Sequence, residues 1–148
     1  DILLNSLITS NDKNKIKTIF TRDKYKLIVI PSYRTPPNII KRAFDSFSHD
    51  HIVVKEKDKK AYLSALSVSD YIVVTCDSTS MISESALTGK PIYIAEIPSK
   101  KDDYRFRQFR DLFKKLNIIK TLDNNLETWR YEILDETSKI AKLLKNKL

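Results

Sequence analysis

The apolar positions of this chain fall into two alternating kinds of segment. Leu27-Ile28-Val29-Ile30, His51-Ile52-Val53-Val54, Tyr71-Ile72-Val73-Val74-Thr75 and Pro91-Ile92-Tyr93-Ile94-Ala95 are short and β-branched, the pattern of strands buried on both faces of a parallel sheet. Between them, apolar residues recur at helical spacing. Asn38 to Phe47 places Ile39, Ile40, Ala43, Phe44 and Phe47 on one face; Lys59 to Ser67 does so through Tyr62, Leu63 and Leu66; Met81 to Thr88 predicts a third helix. Ile2, Leu3, Leu4, Leu7 and Ile8 predict a helix at the start of the chain. The stripes Phe106/Phe109/Leu112/Phe113/Leu116 and Ile133/Thr137/Ile140/Ala141/Leu144 predict two closing helices that face the core. Alternation of this kind implies βαβ units and an α/β fold, a Rossmann-like parallel sheet flanked by helices. No repeat, low-complexity tract or internal linker interrupts the pattern, so residues 1–148 are expected to form one domain.

In such a sheet, ligands bind beyond the carboxyl ends of the strands, and two segments rich in hydrogen-bonding side chains follow strands. In Pro31-Ser32-Tyr33-Arg34-Thr35-Pro36-Pro37, Ser32 and Thr35 offer hydroxyls and Arg34 a planar fork that matches phosphate oxygens. The two prolines stiffen the helix entrance. A rigid turn with capping hydroxyls and a solvated arginine is the competing reading. The second segment runs from Thr75 through Asp77-Ser78-Thr79-Ser80 to Glu84 and Gly89-Lys90-Pro91. Asp77, Ser78, Thr79 and Ser80 are all good N-cap residues, but one helix needs one cap. The surplus hydroxyls and the free N–H groups of the helix start are suited to an anion. Glu84, one turn in, suits a ribose or sugar diol; a solvent-facing glutamate is the alternative. Gly89 ends the helix in a left-handed conformation.

Composition narrows the chemistry. A single glycine in 148 residues excludes glycine-rich phosphate loops, so any phosphate site relies on a helix start and side chains. The net charge of +8 suits anionic partners and leaves a peripheral membrane contact open. The lysines are scattered, however, and no nucleic-acid motif is present, so no nucleic-acid partner is expected. No apolar run is long enough to span a bilayer. The lone Cys76 reads as a small buried hydrophobe in a cytoplasmic protein. His49 and His51 have no metal-binding neighbours in sequence, so no metal is expected. Ser78 and Ser80 lack a nucleophile elbow. Arg105, Arg107 and Arg110 read as a solvated basic face. The chain opens at Asp1 without an initiator methionine, which suggests part of a longer protein.

Ser32-Tyr33-Arg34-Thr35-Pro36 is similar to a Ser-Arg-Arg-Thr-Pro motif, with Tyr33 where the pattern has an arginine. Ala65 to Thr75, Asp77-Ser78, Ser80-Met81, Ser83-Glu84 and Thr88-Gly89-Lys90-Pro91 resemble a longer signature, and Trp129-Arg130-Tyr131 with Leu134 resembles a Trp-x-Tyr-x-x-Leu segment. These motifs resemble the mitochondrial fission protein family of plants and its bacterial relatives, often labelled predicted nucleoside-diphosphate-sugar epimerases. Pro31 and Thr79 depart from the pattern. The resemblance implies the C-terminal half of a glycosyltransferase-B-like fold that holds the nucleotide part of a sugar donor. Ser32, Arg34 and Thr35 would meet the diphosphate, Ser78 and Ser80 would line the same site, and Glu84 would meet the ribose. The N-terminal half of the same protein would be its partner. An epimerase needs a nicotinamide site, and without a glycine fingerprint no cofactor is expected. A glycosyltransferase and a non-enzymatic interaction module that kept the fold both satisfy this pattern.

Overall fold

A computed structural model describes residues 25–96, 104–123 and 125–135. The helix expected over residues 1–10 lies outside them, as does most of the stripe from Ile133 to Leu144. Among the described residues five strands alternate with four helices: β1 (Ile28–Val29), α1 (Pro37–Phe47), β2 (Ile52–Val53), α2 (Lys59–Val68), β3 (Ile72–Thr75), α3 (Thr79–Ala86), β4 (Ile92–Ala95), α4 (Tyr104–Lys115) and β5 (Ile119–Thr121). Every pairing is parallel, with Ile28 opposite Ile52, Ile72 opposite Ile92 and Ile92 opposite Ile119. The α/β class with parallel sheets flanked by helices is therefore present. Its hydrogen-bonded ladders form two pieces, β1-β2 and β3-β4-β5.

The chain leaves β1 towards β2 and leaves β3 towards β4 and β5. The strands at which these two directions diverge, β1 and β3, both line one cavity of about 410 Å³, together with Tyr62, Met81 and Ser85. It is bridged near the strand amino ends by Tyr25 against Tyr71, edge to face at 5.6 Å.

Burial on both faces holds only for β4, all four residues of which are buried. Ile52 and Val73 are exposed, so β2 and β3 each present one side to solvent. The core gathers Ile72, Val74, Ile82, Ala86, Ile92, Ile94, Phe113, Ile118 and Ile119. Each such aliphatic side chain stabilises the fold by roughly 1.5–3 kcal/mol when fully buried. The α4 stripe is only partly used: Phe109 and Phe113 pack inward, whereas Phe106, Leu112 and Leu116 are exposed.

Two of the motifs singled out in the sequence build this core. The Lys90 ammonium donates to the carbonyls of Leu66 (2.7 Å) and Ser67 (2.6 Å), satisfying the C-terminal turn of α2, which has no basic residue of its own there. Thr88 Oγ1 donates to the Ser85 carbonyl at 2.7 Å and accepts from Lys90 N at 3.2 Å. The Trp129 segment then crosses the sheet. The Trp129 ring stands edge-on to Tyr93 at 5.2 Å and its indole N–H donates to the Asn117 carbonyl at 2.9 Å. The Tyr131 hydroxyl donates to the Lys90 carbonyl at 3.0 Å, and Leu134 joins the core. Residues 125–135 form neither helix nor strand, so the described start of the last expected helix, Ile133 to Asp135, is not helical.

Gly89 lies between these two motifs at φ +70°, where an added Cβ would meet Ile133 Cδ1 at 3.2 Å. Gly89→Ala is expected to destabilise the protein by about 1–2 kcal/mol, the usual penalty of a left-handed alanine, as read by urea unfolding.

Candidate functional site

The turn after β1 is rigid because its hydroxyls hold it. Ser32 N donates to Thr35 Oγ1 at 2.8 Å, the two hydroxyl oxygens are 3.1 Å apart, and Arg34 N donates to Ser32 Oγ at 3.2 Å. Thr35 N closes the turn on the Ser32 carbonyl at 3.0 Å. Thr35 is buried, and both side chains are committed to local bonds. Pro36 is the N-cap of α1 with Pro37 at N1, where no N–H needs a cap. Lys57, from the loop after β2, donates to the Tyr33 carbonyl at 2.7 Å. Arg34 is left as the polar side chain of this turn that is free of it and reaches the neighbouring segment.

The segment after β3 is differently used. Cys76 is buried in the core. Ser78 is the N-cap of α3 and only 8% exposed, yet its hydroxyl makes no capping bond. The first-turn N–H groups of α3 are thus not capped by that side chain. The helix begins at Thr79, two residues earlier than the expected Met81. Ser80 is exposed on the first turn. Glu84, also exposed, stands six residues past the cap, roughly 9 Å along the axis, with its carboxylate beside the Tyr62 phenol. Burial, then Glu84, pushes that phenol well above its ordinary value of 10.0. The Tyr62 hydroxyl and Ser85 Oγ are buried without a hydrogen-bond partner, and both residues line the cavity between β1 and β3.

These two segments meet on one rim. Arg34 Nη2 lies 3.4 Å from Asp77 Oδ2 and 3.5 Å from the Asp77 carbonyl oxygen, while Asp77 Oδ1 is buried without a partner. A second guanidinium arrives from α4: Arg110 Nη1 donates to the Cys76 carbonyl at 2.9 Å. This corrects the reading of Arg110 as part of a solvated basic face. Its position three residues before the buried Phe113 was the signal, since that spacing puts both on one side of a helix. Lys57 was also missed, and no local pattern marks it.

Of the seven candidates, Arg34 and Asp77 are in contact, Ser78 and Ser80 flank them at the helix start, and Glu84 stands further along α3. Ser32 and Thr35 are in place, but their hydroxyls are engaged in the turn. The rim therefore offers guanidinium groups and a helix start carrying hydroxyls, donors suited to phosphate oxygens. It offers no histidine: His51 Nδ1 accepts from Leu27 N at 3.3 Å, at the opposite, amino ends of β1 and β2. Among the described residues no group of three His, Cys, Asp or Glu side chains is placed to hold a metal ion. No helix among them is long and apolar enough to cross a membrane.

The family described as Mitochondrial fission ELM1 matches residues 5–148. The Mitochondrial fission protein ELM1 of Arabidopsis thaliana is 26% identical over 122 residues, covering 79% of this chain and 28% of the relative. The uncharacterised protein RP120 of Rickettsia prowazekii (strain Madrid E) is 27% identical over 138 residues, covering 88% of this chain and 38% of the relative. The chain thus spans well under half the length of each. No solved structure matches.

The Arg34–Asp77 pair is open to solvent, so a double-mutant cycle on Arg34→Ala and Asp77→Ala should give a coupling of at most about 1 kcal/mol, lost near 1 M salt. The folded protein holds the Tyr62 proton more tightly than the unfolded chain does. Its stabilising contribution is full below pH 10.0 and is lost as pH rises from there towards the folded value. In unfolding measured from neutral to alkaline pH, Tyr62→Phe should lose stability less steeply above pH 10.0 than the wild type.

Proposed function

The chain belongs to the mitochondrial fission ELM1 family, and on that premise we propose that it is the nucleotide-binding half of a glycosyltransferase-B-like protein, holding the nucleoside diphosphate of a sugar donor. The observation that carries this reading is the meeting of Arg34 and Asp77 across the carboxyl ends of β1 and β3. β1 and β3 belong to separate ladders and line one cavity between them, and a crevice beyond strand carboxyl ends is where open α/β sheets bind nucleotides.

In this reading Arg34 is the principal diphosphate contact, aided by the first-turn N–H groups of α3 and the uncommitted Ser78 and Ser80 hydroxyls. Ser32 and Thr35 set the angle of Arg34 through their turn instead of touching phosphate. Asp77 holds Arg34 until an anion takes it, and Glu84 meets the ribose hydroxyls. Arg110 supplies positive charge from the α4 side. The two carboxylates of the site are engaged in this reading, Asp77 with Arg34 and Glu84 with the ribose, so a transferase would draw its base from the N-terminal half proposed as this chain's partner.

A second reading is a non-enzymatic interaction module in which the fold is kept and turnover lost, favoured by the Arabidopsis relative, which is named as a mitochondrial fission protein. Sugar-donor turnover by the intact protein would exclude this reading.

Isothermal titration of the intact protein with uridine and guanosine diphosphates is the test. Arg34→Ala should weaken binding roughly ten- to hundredfold, the range of a hydrogen bond to a charged group, and Glu84→Ala should weaken it less. Absence of heat with every nucleotide would overturn the nucleotide-binding reading.

A further inference from the structure

Among the described residues Tyr33 is the most exposed of the large apolar side chains, with 79% of its surface open to solvent. It sits on the best-fastened loop of the rim. Its carbonyl is held by Lys57 at 2.7 Å. The residue before it and the two after it are tied by the Ser32–Thr35 network and the Pro36–Pro37 helix start. Among the described residues no aromatic ring packs on it. Its neighbour in the chain, Arg34, is the cation directed at the proposed diphosphate site.

An exposed aromatic on a flexible loop needs no explanation, because surface apolar residues are common. A backbone fixed on both sides of the ring changes the physics. The entropy of ordering the loop is already spent on folding, so contact with the ring costs only its own side-chain freedom. A flat, uncovered ring one residue from an arginine offers a π-surface and a phosphate-binding donor on one turn, complementary to the base and the phosphate at a nucleotide's two ends. The motif that this turn resembles has an arginine at this position, which would add charge where Tyr33 adds a stacking face.

Resting on the nucleotide-binding reading, we propose that Tyr33 is the base-stacking platform of this site and makes it prefer nucleoside diphosphates over inorganic pyrophosphate. Stacking on an aromatic side chain is tolerant of base identity. Tyr33 therefore separates nucleotides from simple phosphates without choosing among the bases.

The test is titration of the intact protein with uridine diphosphate, guanosine diphosphate and inorganic pyrophosphate, in wild type, Tyr33→Ala and Tyr33→Phe. Removing the ring should weaken both nucleotides by roughly ten- to hundredfold, as loss of one stacked base does. Pyrophosphate affinity should stay within about twofold, and Tyr33→Phe should keep wild-type binding of all three. The side chain is solvent-exposed, so neither substitution disturbs the core. An unchanged ratio of nucleotide to pyrophosphate affinity in Tyr33→Ala overturns the platform and leaves the diphosphate site standing. A wild-type protein that binds none of the three ligands overturns both.

Discussion

Parallel pairing aligns the strand carboxyl ends within each ladder, the Arg34–Asp77 contact joins the ends of the two ladders, and the candidate chemistry of this chain depends on that alignment. Ile28 lies beside Ile52, and Ile72 beside Ile92 and in turn Ile119, so the loops leaving β1 and β2 emerge together, and the Arg34–Asp77 contact brings the loop leaving β3 to the same rim. Arg34, Lys57 and Asp77 are far apart in sequence, yet Arg34 reaches Asp77 and Lys57 reaches the same turn. Antiparallel pairing would send neighbouring loops to opposite ends and disperse these groups. The diverging run of the chain from β1 and from β3 puts the Arg34–Asp77 contact over the seam between the two ladders.

With one glycine available, this rim cannot wrap a phosphate in bare backbone as glycine-rich loops do. That glycine is used elsewhere, at the left-handed end of α3. In the proposed reading, recognition of an anion falls to guanidinium groups and to the start of α3. Those groups are steadied by polar contacts made before any ligand arrives: Arg34 against Asp77 and Arg110 on the Cys76 carbonyl. An exposed ion pair of this kind adds little to stability. Its effect is to hold a long side chain near one position, which lowers the ordering cost of binding.

Much of this was legible in the sequence because local physics dictates it. Short β-branched runs gave β1 to β4 but not β5, whose Ile119-Lys120-Thr121 is too short and mixed to stand out, and helical periodicity gave α1 to α4 with boundaries shifted by at most a few residues at each end. Gly89 read as a helix stop because only glycine takes that conformation freely, and Pro36-Pro37 read as a helix entrance for a similar reason. The exposed edges of β2 and β3 were not legible, since a run such as Ile52-Val53 looks alike whether one face or two are covered. The candidate site divides in the same way. That Arg34 and the Asp77 segment share a rim follows from strand order. That the Ser32 and Thr35 hydroxyls are spent on their own turn, and that Arg110 turns inward, depends on side-chain partners no spacing rule specifies. The long motifs mislead in one respect: Lys90 and Trp129 stand out in sequence, but the structure uses them to cap α2 and to pin the last segment onto β4.

The most direct measurement is amide chemical-shift mapping of the isotopically labelled intact protein during titration with a nucleoside diphosphate. Binding at the seam requires the largest shifts at the backbone amides of Ser32 to Thr35 and of Asp77 to Ser80, with small changes around His51 at the far ends of the strands. Shifts centred away from those two loops, or none at saturating nucleotide, would contradict a phosphate site on this rim.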